Sequence, residues 1–497
     1  MGSRRANVLL ITVDQWRGDC LGVLGHPVVR TPALDRLAAE GVLFRRHYAQ
    51  AAPCGPSRAS LHTGQYLMNH RSILNGTPLD ARFTNIALEA RSAGYDPVLF
   101  GYTDASPDPR VLAASDARLR TYEGVLPGFR AVVDLPEHLA LWGAWLRERG
   151  YEVPENVREM YEPVSDALCA PVRYGADDTE AAFVTGGILD HVEARDDEPW
   201  FVHAAYIRPH PPFVAPEPYN TMYDPASVPD PVRHPTIAEE GAEHPLLGMM
   251  VGIPGLHGPD DPDELRRLRA TYFGMMSEVD AQLGRLFDGL REQGSWDDTL
   301  VVLTSDHGEQ LGDHWLTEKL GWFDQSFHVP CIVRDPRSAA DGTRGSVIDR
   351  FTENVDLMPT VLEWLGLDAP LQCDGSSLLG FASGAEPPSW RGAAHWEWDF
   401  RDPIGELSQR GLGLRSDQCT LAVLRDEAGK YVHFAGMDPI FYDLRDDPNE
   451  LVNRAGDPGR AGDVLGYAQR LLSFRMEHAD RALTRLLVTP AGVLSGG

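Results

Sequence analysis

The chain has 497 residues, 43% of them hydrophobic and 24% charged, the proportions of a globular protein with a large core and, by length alone, two to four domains. Its formal net charge of -28 excludes the broad basic surfaces that bind nucleic acid or anionic membranes, so an anionic substrate would need a local cationic pocket or a metal. No apolar run approaches the roughly 18 residues of a membrane span, and the six cysteines are scattered without CxxC pairing, which argues against a disulfide framework and for a cytoplasmic location.

Asn7 to Val13 is a near-continuous apolar run, typical of a strand covered on both faces. It follows Arg4 and Arg5 and ends at Asp14 without a small-residue cleavage site, so it reads as a buried strand and not as a signal peptide. TPALDRLAAEG predicts a helix with Thr31 as N-cap, Pro32 at the first helical position, Leu34, Leu37 and Ala38 on one face, and Gly41 as stop. Another helix is predicted to start near Ser57. Strands are predicted over 97–100, 200–207 and 300–304, and residues 263–293 carry Leu265, Leu268, Tyr272, Met276, Val279, Leu283, Leu286 and Leu290 at helical spacing. Between 208 and 262 the chain is rich in proline and histidine with weak periodicity, which reads as a long surface insertion able to roof a site.

This alternation, closed by a helix over 355–367, predicts an α/β unit over 1–374: a large, mostly parallel sheet sandwiched by helices. HWEWDF, CTLAVLRD and KYVHF are short strand-like runs, followed by an amphipathic helix over 464–478. They predict a smaller C-terminal α+β unit over 375–480 with an antiparallel sheet. The tail, 481–497, reads as disordered or as an oligomerisation arm.

In open parallel sheets the functional groups gather beyond the carboxyl ends of the strands. Asp14 follows the first strand, Tyr102, Thr103 and Asp104 the second, Arg208 and His210 the third, and Asp306 and His307 the fourth. Each alone has an ordinary reading, as a turn residue, an N-cap or a satisfied histidine; four strand ends so equipped make that reading poor for the set. Asp14, Asp306 and His307 suit a divalent cation. Glu309, Asp313 and His314 follow closely, so spacing alone leaves the ligands ambiguous, and Asp306 and His307 can share a metal only in a turn, for which Gly308 offers the freedom.

Cys54 lies in CGPSR, between Pro53 and Gly55-Pro56. A buried structural thiol is the ordinary reading. The rigid turn, the helix N-terminus and Arg58 also favour an oxyanion or a thiolate, which leaves a reactive thiol, an anion site or a modified nucleophile.

CGPSRASLHTGQY resembles the sulfatase signature, C-x-P-S-R followed by Thr-Gly. NVLLITVDQ, TPALDRLAAEGVLF, TSDHGEQLGDH, VDLMPTVLEWLGL and FYDLRDDPNELVN extend the resemblance along nearly the whole chain, to the formylglycine sulfatases and phosphonate monoester hydrolases of the alkaline phosphatase superfamily. Most sulfatases have two aspartates where this chain has Asp14-Gln15, Asp-Asn where it has Asp306-His307, Gly-Lys-Trp-His where it has Gly101 to Asp104, and lysine at Arg208. These departures, with Asn75, RPHPPF and Lys319, resemble the phosphonate monoester hydrolase branch, in which threonine is usual at position 104. Asp104 departs from both.

The resemblance implies hydrolysis of monoanionic sulfate, phosphonate and phosphodiester substrates, with promiscuity among them, by a formylglycine made from Cys54 by a formylglycine-generating enzyme. It implies one divalent metal at Asp14, Cys54, Asp306 and His307, with manganese or calcium favoured and zinc third. Arg58, Lys319, Asn75 and Tyr102, beside Thr103, are then expected to face the transferring oxyanion, and His210 the leaving oxygen. Asp104 would serve as a base or limit substrate charge. A homodimer or homotetramer is expected, with no nucleic-acid or membrane partner. The alternatives are a dedicated arylsulfatase, a non-catalytic anion-binding relative, and a hydrolase using the Cys54 thiolate itself.

Overall fold

The computed structural model describes residues 7–136, 138–165, 169–195 and 198–495. Arg4 and Arg5, part of the signal-peptide reading, and the last two residues of the tail lie outside the described residues. The main sheet holds eight strands: β1 (Asn7–Val13), β2 (Val42–Tyr48), β3 (Pro97–Gly101), β4 (Arg130–Asp134), β5 (Phe201–Tyr206), β6 (Thr299–Ser305), β7 (Cys331–Arg334) and β8 (Ser346–Glu353). Their order is β4-β3-β5-β1-β6-β7-β2-β8, parallel throughout except at β7, which runs antiparallel to both β6 and β2. The central strands β5, β1 and β6 are buried along their whole length, because helices cover both faces and no alternation of polar residues is tolerated.

Two helices begin differently from the sequence expectation. Pro32–Glu40 starts after Thr31, but the Thr31 hydroxyl does not cap it; it accepts from Gly22 N (2.8 Å) and donates to Asp35. The free N–H groups of Ala33 and Leu34 instead donate to the two oxygens of Asp280, at 2.9 Å each, on the long helix Pro262–Glu292. The second helix, Cys54–Thr63, begins at the cysteine itself and not near Ser57.

The 208–262 segment is more than a surface insertion. It folds into the short helices Ile237–Ala242 and Pro245–Met250, and buries Glu240, His244, Leu246, Leu247 and Met250. Its Tyr219 carbonyl lies so close to Gly274 of the long helix that an added Cβ would sit 2.1 Å away. Only its first residues reach the cleft described below. The expected helix over 355–367 is a short 3-10 turn followed by Leu357–Trp364.

Toward the C-terminus β9 (Ala394–Asp399), β10 (Thr420–Arg425), β11 (Gly429–Phe434) and β12 (Ile440–Asp443) form an antiparallel sheet in the order β12-β11-β10-β9, against which the helix Ala461–Glu477 packs. Its Trp396 stacks on Tyr48 of the main sheet with ring centroids 5.5 Å apart. The tail forms a hairpin, β13 (Leu486–Thr489) and β14 (Gly492–Ser495), paired only with itself among the described residues. All six cysteines are free, and no described helix is long and apolar enough to cross a membrane.

Candidate active site

β3, β5, β1 and β6 are consecutive neighbours in the sheet, and their carboxyl ends deliver Tyr102 to Asp104, His210, Asp14, and Asp306 with His307 to one place. Val13 pairs in register with both Tyr206 and Ser305, which levels Asp14 with the residues after β5 and β6. The Cys54–Thr63 helix points its first residue at the same spot. Ser57 ties it there by donating its hydroxyl proton to the Asp306 carbonyl.

The ligand atoms of Asp14, Cys54, Asp306 and His307 all lie within 4.8 Å of one another. His307 donates Nδ1–H to the Gly308 carbonyl (3.0 Å), which turns the lone pair on Nε2 toward Cys54 Sγ (3.2 Å) and Asp14 Oδ1 (3.6 Å). Gly308 is glycine for close approach, not for a positive φ, since a Cβ there would fall 2.1 Å from the Gln325 carbonyl. Arg58 is 1% exposed and clamps the carboxylates from behind, with Nε on Asp306 Oδ2 at 2.9 Å, Nη2 on Asp14 Oδ2 at 3.1 Å and Nη1 on the Tyr102 carbonyl at 2.9 Å. Its plane lies 4.0 Å over the Tyr102 ring, and the Tyr102 hydroxyl donates to Asp14 Oδ2.

Burial and the Asp14 charge, offset in part by Lys319, push the Cys54 thiol well above its usual range. These two effects oppose the thiolate stabilisation expected from the helix N-terminus and Arg58.

A cavity of about 140 Å³ opens beside the cluster, with Asp14, Cys54, Asn75, Tyr102, Asp104 and His210 on its walls. Asn75 Oδ1 accepts from Gly55 N (2.8 Å), which leaves its NH2 as the donor group for the cleft. Asp104, in the left-handed region (φ 50°), lies 3.9 Å from Arg58, and burial pushes its carboxyl up to about 7 against the pull of that arginine. His210 donates Nδ1–H to the Pro211 carbonyl (2.9 Å) and accepts at Nε2 from Lys319 Nζ (3.0 Å). Burial and the Lys319 charge lower its pKa to about 4, so the imidazole is neutral at pH 7. Burial works against the Lys319 ammonium too, but Cys54, Glu318, Asp14 and Asp306 around it hold it above the ordinary lysine range.

Other candidates lie elsewhere. Thr103 clamps a loop, donating to the Gly124 carbonyl (2.9 Å) and accepting from Leu126 N (2.8 Å). Arg208 pairs with Glu180 at 2.7 Å. Of the ambiguous acids and histidine, Asp313 pairs with Arg17 and Arg269, His314 meets Glu240 at 2.9 Å, and Glu309 faces Gln15; none joins the four-atom cluster. Tyr122, Glu123, Leu135 and Arg158 also line the cavity. Tyr122 and Glu123 come from the irregular stretch between β3 and β4, Leu135 follows β4, and Arg158 lies in the 3-10 turn Val157–Tyr161; no motif marks any of them.

The family model described as Sulfatase matches residues 6–367. The chain belongs to the sulfatase family. A second model, N-sulphoglucosamine sulphohydrolase, C-terminal, matches residues 312–476. Along 98% of its length this sulfatase-family chain is 43% identical to the multifunctional alkaline phosphatase superfamily protein PehA of Trinickia caryophylli, of which 99% is covered. It is 28% identical to an arylsulfatase of Clostridium perfringens over 97% of its own length and 96% of that protein's. The crystal structure of phosphonate monoester hydrolase of Agrobacterium radiobacter superposes with a TM-score of 0.95 at 47% identity, covering 99% of this chain and 100% of that one.

Sulfatases are metal-dependent and carry formylglycine at the signature cysteine. The residues here fit such a metal on two observations independent of the family. Asp14 Oδ1 is buried without a hydrogen-bond partner, the state of a carboxylate oxygen that faces a cation. The His307 Nε2 lone pair converges on the same point, oriented from behind by a backbone carbonyl.

Proposed function

We propose that the chain hydrolyses monoanionic esters of sulfate, phosphonate and phosphate through a formylglycine made from Cys54. The observation that carries this reading is the buried Asp14, Cys54, Asp306, His307 cluster opening on a cleft walled by Asn75, Tyr102 and His210. The likeness to PehA and to a phosphonate monoester hydrolase, at 43% and 47% identity, favours phosphonate and phosphodiester turnover over the dedicated-arylsulfatase reading, whose support is the relative at 28%.

Asp14, Asp306, His307 and position 54 would hold one divalent cation, with manganese or calcium preferred for two carboxylates and one imidazole and zinc third. When bound, it supplies Lewis acidity and neutralises charge at the nucleophile and the transferring group. The hydrated aldehyde at position 54 carries two hydroxyls. The first gives up its proton and bonds to sulfur or phosphorus as the ester alcohol leaves. The second then loses its proton, the bond from the aldehyde carbon to the ester oxygen breaks, and sulfate or phosphonate departs with the aldehyde restored.

Within this sequence Asn75 donates to the transferring group, and Arg58 acts through the carboxylates it aligns. The leaving oxygen takes its proton from the Lys319–His210 pair, where the available proton sits on Nζ. The formylglycine-generating enzyme is the partner this reading requires. We place the protein in the cytoplasm on its six free cysteines, and read the exposed C-terminal hairpin as an oligomerisation arm of a dimer or tetramer.

Peptide mass spectrometry at position 54, with paired assays on an aryl sulfate and a phenyl phosphonate ester, tests this reading. The expected result is an aldehyde, turnover of both esters, loss of activity in EDTA and its return with manganese or calcium. An unmodified thiol in fully active protein would overturn it.

A further inference from the structure

Lys319 is one of only two lysines in a chain with 45 lysines and arginines, and it is 8% exposed. Its Nζ donates to Gln15 Oε1 at 2.9 Å and to His210 Nε2 at 3.0 Å. Gln15 is itself held from three sides. Its backbone is in the left-handed region (φ 68°), its N–H donates to Asp306 Oδ1 (3.2 Å), and its carbonyl accepts from the Tyr272 hydroxyl (2.6 Å). The remaining freedom is the orientation of the carboxamide, and Glu309 removes it by accepting from Gln15 Nε2.

Glu309 is fully buried, and neither the metal cluster nor the cleft includes it. Its Oε1 accepts from the backbone N–H groups of Leu311 and Glu318, each at 2.8 Å, so Oε2 is the atom turned to Gln15. The second of these bonds grips the residue directly before Lys319. An ammonium can only donate, and an ionised carboxylate can only accept, so with Glu309 ionised both ends demand the same amide orientation.

We propose that Glu309 is a positioning residue acting through Gln15: it holds the carboxamide oxygen toward Lys319 and so fixes the aim of the ammonium at His210 and the cleft. The inference rests on the proposed catalytic use of Lys319. It also makes a specific claim about a substitution that looks conservative. In Glu309→Gln the carbonyl oxygen stays on the two backbone N–H groups and an NH2 faces Gln15. The Gln15 amide must then turn over, and presents its own NH2 to an ammonium.

The test compares Glu309→Gln, Gln15→Leu, their combination, and the exchange Gln15→Glu with Glu309→Gln, all in the full-length, metal-loaded protein. We expect kcat/KM on phenyl phosphonate ester to fall about 30- to 100-fold in Glu309→Gln and in Gln15→Leu, because the buried ammonium keeps His210 and Glu318 but loses the acceptor that sets its aim between them. Adding Glu309→Gln to Gln15→Leu should cost no further activity, and the exchange, which restores the order of donors and acceptors, should recover activity to within about tenfold of the parent. The spectroscopic readout is the Cε resonance of Lys319 in 13C-lysine-labelled protein, which has two lysine signals; it should move in Glu309→Gln and return in the exchange. This signal reads the lysine whether or not the parent turns over the ester, so failure of the functional reading is separable from failure of the relay. An unshifted Lys319 signal in Glu309→Gln, multiplicative losses in the combined variant, or an exchange variant that is folded but not rescued would each overturn the proposal. If Glu309→Gln does not fold, the exchange variant and Gln15→Leu decide it by the same criteria.

Discussion

Asp104 is the side chain by which the charge of the cleft wall can be changed without touching the four-residue cluster. It faces the cavity 3.9 Å from Arg58, and above about pH 7, where it is ionised, its carboxylate opposes a second negative charge on the substrate. Asp104→Thr is expected to raise the rate on a dianionic phosphate monoester, relative to an aryl sulfate or a phosphonate monoester, by about tenfold; equal relative rates in parent and variant would refute the charge-limiting role. Gly308→Ala acts on the cluster itself. Its Cβ would fall 2.1 Å from a carbonyl, so the backbone that orients His307 has to move, and manganese affinity by calorimetry should drop by about 10- to 100-fold. The gathering of Asp14, Asp306 and His307 was legible in the sequence because a residue following a parallel strand has only one end of the sheet to occupy. Spacing could not separate these from Glu309, Asp313 and His314, because it carries no information on which way a loop turns its side chains. The surroundings of Cys54 were hidden for a related reason: its neighbours in sequence are a helix start and an arginine, while the burial and the Asp14 charge that raise its pKa come from residues remote in the chain.

The long helix Pro262–Glu292 is the element that joins the site's supports. Asp280 caps Pro32–Glu40, Gly274 admits the Tyr219 carbonyl, and Glu278 lies buried beside Glu180, the partner of Arg208. Burial and the Glu180 charge push Glu278 up to about 8, against the hydrogen bond from Thr179 and the charge of Arg208. A carboxyl with a raised folded pKa binds its proton more tightly in the folded state. Its contribution is therefore full below the ordinary value of 4.5 and is lost as pH rises to about 8. Glu278→Gln keeps an acceptor for Thr179 and has no proton to lose, so denaturant unfolding should show the variant gaining on the parent by about 1–4 kcal/mol between about pH 5 and pH 8. A gap that does not change with pH would place the group's folded pKa near its ordinary value. The helix itself was legible from its eight apolar positions. Its role in capping was not, because Thr31 and Pro32 supply a complete local signal and Asp280 is remote in sequence.

Across the whole molecule, the α/β alternation read from the sequence is present as an eight-stranded, mostly parallel sheet, and the antiparallel sheet lies near the C-terminus. β7 is the exception that runs of apolar residues could not reveal, since a buried strand reads alike in either direction. We propose the division into 1–374, 375–480 and a tail at 481–497. The tail hairpin leaves Val488 82%, Leu487 63% and Val493 63% exposed, and a two-stranded hairpin gains little stability alone in water. Sedimentation of the full chain should therefore give a dimer or tetramer, and Val488→Asp should lower that mass; a monomeric parent would refute the arm. The placement of Cys54 bears on when the protein can become an enzyme. Its side chain is 4% exposed, at the inner wall of the cleft, on a helix that Ser57 fastens to the loop carrying Asp306. On the proposed chemistry, oxidation at this position belongs to the nascent chain, before the sheet closes. Molecules that fold first are locked into a thiol form, so the active fraction of a preparation records a race between modification and folding, which slower synthesis or more modifying enzyme would tilt.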